Sequence, residues 1–232
     1  MGSTRLPGKV LADIQGHPML WYVVQRTRAA TTLNDVIVAT TTQSPDADIV
    51  DFCSQLGVTC FRGHEDDVLD RYYQAALREK ADVVIRITSD CPLIDPEIID
   101  TVVRAFVAGQ YDYASNSLVR TYPRGLDTEV MTFDVLEQAW FRARKPYERA
   151  HVTAYIYDKS SDFRLLSVTG DNDYSQYRWT VDTPEDLELV RTIYGRLKGS
   201  DAFLNDVIQL LQREPAIADI NRGISQKALH EG

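Results

Sequence analysis

The sequence predicts an α/β protein built on a mostly parallel sheet, and three observations carry the prediction. Val36–Thr40 (VIVAT) and Asp82–Thr88 (DVVIRIT) are continuous β-branched runs, the mark of strands buried on both faces. Amphipathic helical patterns separate such runs, and strand–helix alternation points to helices layered on a sheet. The chain has 232 residues, 44 % apolar and 25 % charged, an ordinary globular composition with enough length to bury one sizeable core.

The elements follow in order. Met19–Ala30 reads as a helix, then comes VIVAT, then a helix over Asp46–Leu56 that Gly57 closes. Val58–Phe61 is a short strand. Asp67–Lys80 places Val68, Leu69, Tyr72, Tyr73, Ala76 and Leu77 at spacings of three and four, one apolar face of a helix. After DVVIRIT, the turn SDCPLIDP leaves Asp90 just past the strand's C-terminal end. Pro96 then opens a helix to Ala108, with Asp95 as its cap. Tyr111–Ser115 and Thr128–Thr132 read as strands, Phe133–Ala143 and Tyr147–Asp158 as helices, and Phe163–Val168 as a strand. Residues 111–173 are less regular. They read as an inserted segment with antiparallel strands, used for substrate or for an oligomer contact, within a single domain spanning 1–232. RWTVDT (Arg178–Thr183) is predicted as a strand ending at Asp182. Helices over Pro184–Leu197 and Asp201–Gln212 and a loosely held tail from Asn221 complete the chain.

Charge and composition exclude several functions. With 25 Lys+Arg against 34 Asp+Glu, a net charge of -9 is wrong for bulk electrostatic wrapping of nucleic acid. No apolar run is long enough to insert in a membrane, and the opening residues lack the core of a signal peptide. Cys53, Cys60 and Cys91 are an odd count without a CxxC pair, which predicts free thiols in a reducing cytoplasm.

Three clusters carry chemistry. Gly2–Lys9 (GSTRLPGK) brings Gly2, Ser3 and Thr4 together with the Arg5 guanidinium and the Lys9 ammonium. Its backbone N–H groups and two cations suit a polyphosphate, although it is not the Walker pattern. Asp90 and Asp182 each stand at the end of a predicted strand, where ligands gather in open α/β sheets. Two carboxylates meeting there call for a divalent cation, and magnesium suits oxygen ligands and phosphates. Helix capping is the alternative for Asp182. YPRGLDTE (Tyr122–Glu129) sets Arg124, Asp127 and Glu129 in one turn, able to hold a polar ligand through forked hydrogen bonds, or else simply solvated. His151 lies on a predicted helix, where a structural bond is the plainer role.

Taken together, GSTRLPGKVL, EDDVLDRYYQAA, SDCPLIDP, YPRGLDTEV, ERAHVTAYIY and RWTVDTPEDLELV resemble, in family order, the cytidylyltransferase superfamily of CMP-acylneuraminate and CMP-KDO synthetases. Within it the chain is most similar to the spore-coat-polysaccharide-biosynthesis branch. The resemblance implies a three-layer α/β/α nucleotidyltransferase fold like that of glycosyltransferase A enzymes, with a mixed, mostly parallel sheet. It implies transfer of CMP from CTP to an acidic sugar or related acid or phosphate acceptor, with release of pyrophosphate, in surface polysaccharide or glycoconjugate synthesis. By the same resemblance Arg5 and Lys9 hold the CTP phosphates, with Gly2, Ser3 and Thr4 in the same loop. Asp90 and Asp182 hold Mg²⁺ near the α-phosphate, and Arg124, Asp127, Glu129 and His151 face the acceptor. A cytoplasmic homodimer using residues 111–173 is implied as well. Family members carry a hydrophobic first strand ending in Ala-Arg ahead of the position of Met1, and Ala154 stands where Pro is commoner. Two other classes stay open. One is a glycosyltransferase using a pre-formed nucleotide sugar, for which the DxD stretches are Asp46–Asp48 and Asp171–Asp173. The other is a non-catalytic homologue acting as a partner protein.

Overall fold

The computed structural model describes residues 2–159, 162–198 and 202–226. A hairpin that the sequence did not signal comes first: β1 (Asp13–Ile14) and β2 (His17–Pro18) turn on Gln15 and Gly16, both at positive φ. α1 (Met19–Arg28) follows, then β3 (Ile37–Thr41), α2 (Ala47–Leu56) and β4 (Thr59–Gly63). Gly57 ends α2 at φ 59°, the left-handed conformation expected there. α3 (Val68–Glu79) starts where the Asp67 carboxylate accepts the Asp70 N–H at 2.9 Å. β5 (Val83–Arg86) leads to α4 (Pro96–Ala108). As predicted, Asp95 caps α4, accepting the Glu97 N–H at 2.9 Å; its other oxygen accepts the Leu204 N–H at 2.8 Å. β6 (Tyr113–Ser115), β7 (Glu129–Thr132), α5 (Phe133–Arg142), α6 (Pro146–Ala150), α7 (Ala154–Asp158) and β8 (Leu165–Ser167) come next, and α8 (Pro184–Leu197) and α9 (Leu204–Arg213) close the fold. The predicted start of the last helix, Asp201, lies outside the described residues.

The strands form a parallel β3–β4 pair and a mixed sheet in the order β5-β7-β6-β8. In the mixed sheet β7 is antiparallel to both neighbours and β6 is parallel to β8. The period-2 alternation of side chains divides the core between the two faces of this sheet. Val83, Ile85, Val130, Ala114 and Leu166 pack with α1, α4, α8 and α9. Val84, Met131, Tyr113 and Leu165 pack on the other face with α3, α5 and α7. A smaller cluster joins α1 and α2 to β3 through Leu20, Val24, Ile49, Cys53 and Val38. The result is helices on both sides of a sheet. All three cysteines carry free thiols, and among the described residues no helix is long and apolar enough to cross a membrane.

Residues 111–173 supply β6, β7 and β8 to the larger sheet, with β7 and β6 in its middle and β8 at its edge, and β7 is antiparallel to both its neighbours. Three expectations change. The predicted helix Tyr147–Asp158 is two short helices broken at His151–Thr153, with Val152 at φ 58°. Full burial of the Val152 side chain and the bond from the Thr153 hydroxyl to Glu129 override helical continuity there. Arg178–Thr183 is not a ladder strand but makes one isolated bridge, Arg124↔Arg178. Its N–H groups go to turns instead: Trp179 and Thr180 to the Arg124 carbonyl, Val181 to the Asp90 carbonyl. Asn221 is not loose: it is buried, donating to the Arg178 carbonyl at 2.9 Å and to Asp186 at 2.8 Å.

Candidate active site

The opening loop is folded by its own small residues. Ser3 Oγ accepts the Leu6 N–H at 3.3 Å, and Gly8, left-handed at φ 71°, turns the chain into a single 3-10 turn over Lys9–Leu11. Lys9 thereby points at the ends of two other segments. Its Nζ donates to Asp90 Oδ2 at 3.1 Å, Asp182 Oδ1 at 2.8 Å and the Val181 carbonyl at 2.7 Å, which engages all three ammonium protons.

Two features bring Asp90 and Asp182 together across 92 positions of sequence. The Asp90 carbonyl accepts the Val181 N–H at 2.8 Å and the Thr180 hydroxyl at 3.2 Å, which sutures the two turns side by side. Thr183, not Asp182, caps α8, in a reciprocal capping box with Asp186. The Asp182 carboxylate is therefore available: Oδ1 takes Lys9, while Oδ2 takes Arg178 at 2.6 Å and Arg5 at 3.1 Å. Burial, the largest influence on Asp182, pushes its pKa up. Lys9, Arg178 and Arg5 outweigh it and hold the carboxyl at about 2. Burial likewise pulls the Lys9 pKa down, and Asp90 and Asp182 reverse it to a net rise. Arg178 also grips the fully buried Asp186, through Nε at 3.0 Å. The centre thus pairs three cations, Arg5, Lys9 and Arg178, with three carboxylates, Asp90, Asp182 and Asp186.

The YPRGLDTE turn lies against this centre. Gly125 sits at φ 109°, and a Cβ there would lie 2.6 Å from the Thr180 nitrogen and 2.7 Å from the Trp179 carbonyl carbon. Only glycine lets the two backbones touch, with the Arg124 carbonyl accepting Trp179 N–H at 2.6 Å and Thr180 N–H at 3.1 Å. Gly125→Ala is therefore expected to cost about 2–5 kcal/mol from backbone strain plus overpacking. It should also displace the segment that carries Asp182, so the urea midpoint and the turnover should fall together.

The remaining candidates divide. The Arg124 guanidinium is half-buried and makes no ion pair among the described residues. Burial lowers its pKa, as do Arg120 and Arg178 nearby, against Asp127 and Asp182. Asp127 is held by a forked pair from Arg120, at 2.5 and 2.8 Å. Glu129, expected at the acceptor, is buried instead: it pairs with Arg86 and accepts the hydroxyls of Tyr113 at 2.6 Å and Thr153 at 2.5 Å. His151 closes α6, its N–H on the Tyr147 carbonyl at 2.9 Å. Thr4 and Gly2 are exposed, and Gly2 borders a cleft of ≈ 230 Å³ with Thr41, Gln43, Pro45, Asp46 and Glu65 at the C-terminal ends of β3 and β4. Of the DxD stretches, Asp46 is buried and engaged by Thr40 and Thr41, and Asp171–Asp173 is exposed on the polar turn. Sequence reasoning missed Arg178, Arg120, Arg86 and Asn221. For Arg178 a signal existed, its i,i+4 spacing to Asp182.

Residues 1–211 match the family described as Cytidylyltransferase. An uncharacterized protein of Methanocaldococcus jannaschii is 37 % identical over 232 residues, covering 99 % of this chain and 94 % of its own length. The spore coat polysaccharide biosynthesis protein SpsF of Bacillus subtilis is 31 % identical, with 94 % of this chain and 93 % of that protein covered. A solved cytidylyltransferase structure from Leptospira borgpetersenii matches with a TM-score of 0.91 at 31 % identity, over 98 % of this chain and 95 % of that one, so the three-layer nucleotidyltransferase architecture expected from the motifs is borne out. With a family match over nearly its whole length and a site in which carboxylates and cations from three distant segments converge, the chain belongs to the cytidylyltransferase family and is a CTP-dependent nucleotidyltransferase.

Proposed function

We propose that the enzyme transfers CMP from CTP to an acidic sugar, or to a related acid or phosphate acceptor, and releases pyrophosphate, in the synthesis of surface polysaccharide or glycoconjugate. The observation that carries this reading is the convergence of Asp90 and Asp182 on one ammonium, each within 3.1 Å of it. Two carboxylate oxygens brought so close fit a shared magnesium ion, which binds one or two protein carboxylates and completes its shell with phosphate oxygens. The third carboxylate of the centre, Asp186, is taken up by Arg178, Asn221 and the α8 capping box, which leaves Asp90 and Asp182 as the two protein ligands of such an ion. Bound there, magnesium supplies positive charge to the α-phosphoryl oxygens.

The chain's own residues do the rest by position and charge. An acceptor oxygen attacks the α-phosphorus, the bond to the bridging oxygen breaks, and pyrophosphate leaves on the opposite side. Arg5 and Lys9 bind the β- and γ-phosphates and take up the charge of the leaving group. Arg124, a half-buried guanidinium that makes no ion pair among the described residues and feels the charges of Arg120 and Arg178, binds the acceptor's anionic group. Asp127 and Arg120 form the polar wall beside it. The cleft at Gly2 receives the nucleoside. Homodimerisation and a cytoplasmic site of action complete the reading, supported by exposed Val119 and Phe141 on segment 111–173 and by the three free thiols.

The test is pyrophosphate release with each nucleoside triphosphate, Mg²⁺ and a panel of acidic and neutral sugars. Release is expected with CTP and an acidic acceptor. Equal release with neutral sugars, or with any nucleotide, would overturn the acceptor or the nucleotide assignment.

A further inference from the structure

Lys9 stands where the proposed metal would stand. Its ammonium bonds to one oxygen of Asp90 and one of Asp182, and the Val181 carbonyl takes its third proton. The Lys9 side chain is 12 % exposed, so this is an enclosed contact and not a surface pair. N···O contacts of 2.8 and 3.1 Å leave no room for a second cation on the same two oxygens, whose bonds to magnesium measure about 2.1 Å. Charge points the same way. With Arg5 and Arg178 also on Asp182, the centre is balanced before any metal arrives. A bare divalent ion would have to expel Lys9 from two carboxylates into a space whose other carboxylates, Asp186 and Asp127, are already taken by Arg178 and Arg120. A triphosphate changes this, because it gives the ammonium a new partner as it delivers the ion.

We propose that Lys9 is an internal cation that holds the metal position of the nucleotide-free enzyme, so that divalent ions bind with the nucleotide and not before it. This rests on the reading of Asp90 and Asp182 as the metal ligands. It assigns Lys9 two successive stations, the carboxylate pair and then the phosphates. It also makes Lys9 a guard: the free enzyme keeps its carboxylates at binding distance without capturing a stray ion.

The experiment is Mn²⁺ binding to the full chain without nucleotide, read by the electron paramagnetic resonance signal of free Mn²⁺. Wild type, Lys9→Gln, Lys9→Arg, Asp182→Asn and the Lys9→Gln/Asp182→Asn double variant are compared. Removing a unit charge at such short range should tighten Mn²⁺ binding by at least about tenfold in Lys9→Gln. Lys9→Arg should stay weak, and the double variant should lose the gain. Unchanged or weaker binding by a folded Lys9→Gln overturns the inference. So does tight binding of bare Mn²⁺ by wild type that Asp182→Asn abolishes, a result that decides the matter even if Lys9→Gln does not fold. Pyrophosphate release by wild type, run in parallel, separates the failures. Divalent-dependent release with the wrong Mn²⁺ result sinks the guard role alone; release indifferent to divalent ions sinks the metal reading beneath it.

Discussion

Asp182→Asn is expected to lower the rate of pyrophosphate release by about a thousandfold, with the fold retained. The loss has two parts. The variant removes a carboxylate from a centre that acts by charge, and deleting one preorganised electrostatic partner typically costs about 10²–10³ in turnover. It also weakens the hold on Arg5 and Lys9, which rest on Asp182 Oδ2 and Oδ1, so the two cations meant for the phosphates lose their alignment. Asp186 and the Thr183 capping box remain to hold α8, which is why the fold should survive. Asp90→Asn should behave similarly, since Asp90 is the other anchor of Lys9. The measurement is single-turnover pyrophosphate release at saturating CTP, together with a circular dichroism melt. Turnover near wild type in a folded Asp182→Asn would remove this carboxylate from the chemistry.

Glu129→Ala carries the largest expected cost in stability, about 3–5 kcal/mol, because it leaves a buried cation without its partner. Glu129 stands directly opposite Arg86 in the β5–β7 register and is 6 % exposed, on the strand between β5 and β6. Its carboxylate also takes the hydroxyls of Tyr113, on β6, and Thr153, beside the break between α6 and α7. One truncation therefore strands a guanidinium and two hydroxyls. Since native domains have only about 5–15 kcal/mol in total, the urea midpoint should move far. Glu129→Gln keeps an acceptor for the hydroxyls and should cost clearly less. Equal stability of Glu129→Ala and wild type would contradict the network.

The residues that could be read from sequence were those whose role is set locally. α2 stops at Gly57, α4 runs from Pro96 up to Gly109 and α8 starts at Pro184, as those residues signalled, and the β-branched runs became β3 and β5. Asp90 and Asp182 could be singled out because each follows an apolar run. What sequence could not supply was partnership. YPRGLDTE looked like one polar turn, yet among the described residues Arg124 pairs with no carboxylate, Asp127 meets Arg120, and Glu129 is drawn inside by Arg86, 43 positions away. RWTVDT looked like a strand because its composition is right for one. Its hydrogen bonds go to two turns, a choice made by Gly125 and by the Asp90 carbonyl rather than by its own side chains.

Asn221 extends this point past the last residue of the family match. The family match ends at residue 211, yet the amide of Asn221 is fastened to the Arg178 carbonyl and to Asp186, the two residues that brace Asp182 from behind. The carboxylate at the centre is thus moored, through Arg178 and Asp186, to an amide near the far end of the chain. A change at Asn221 would shift the centre without touching any group that meets the substrate.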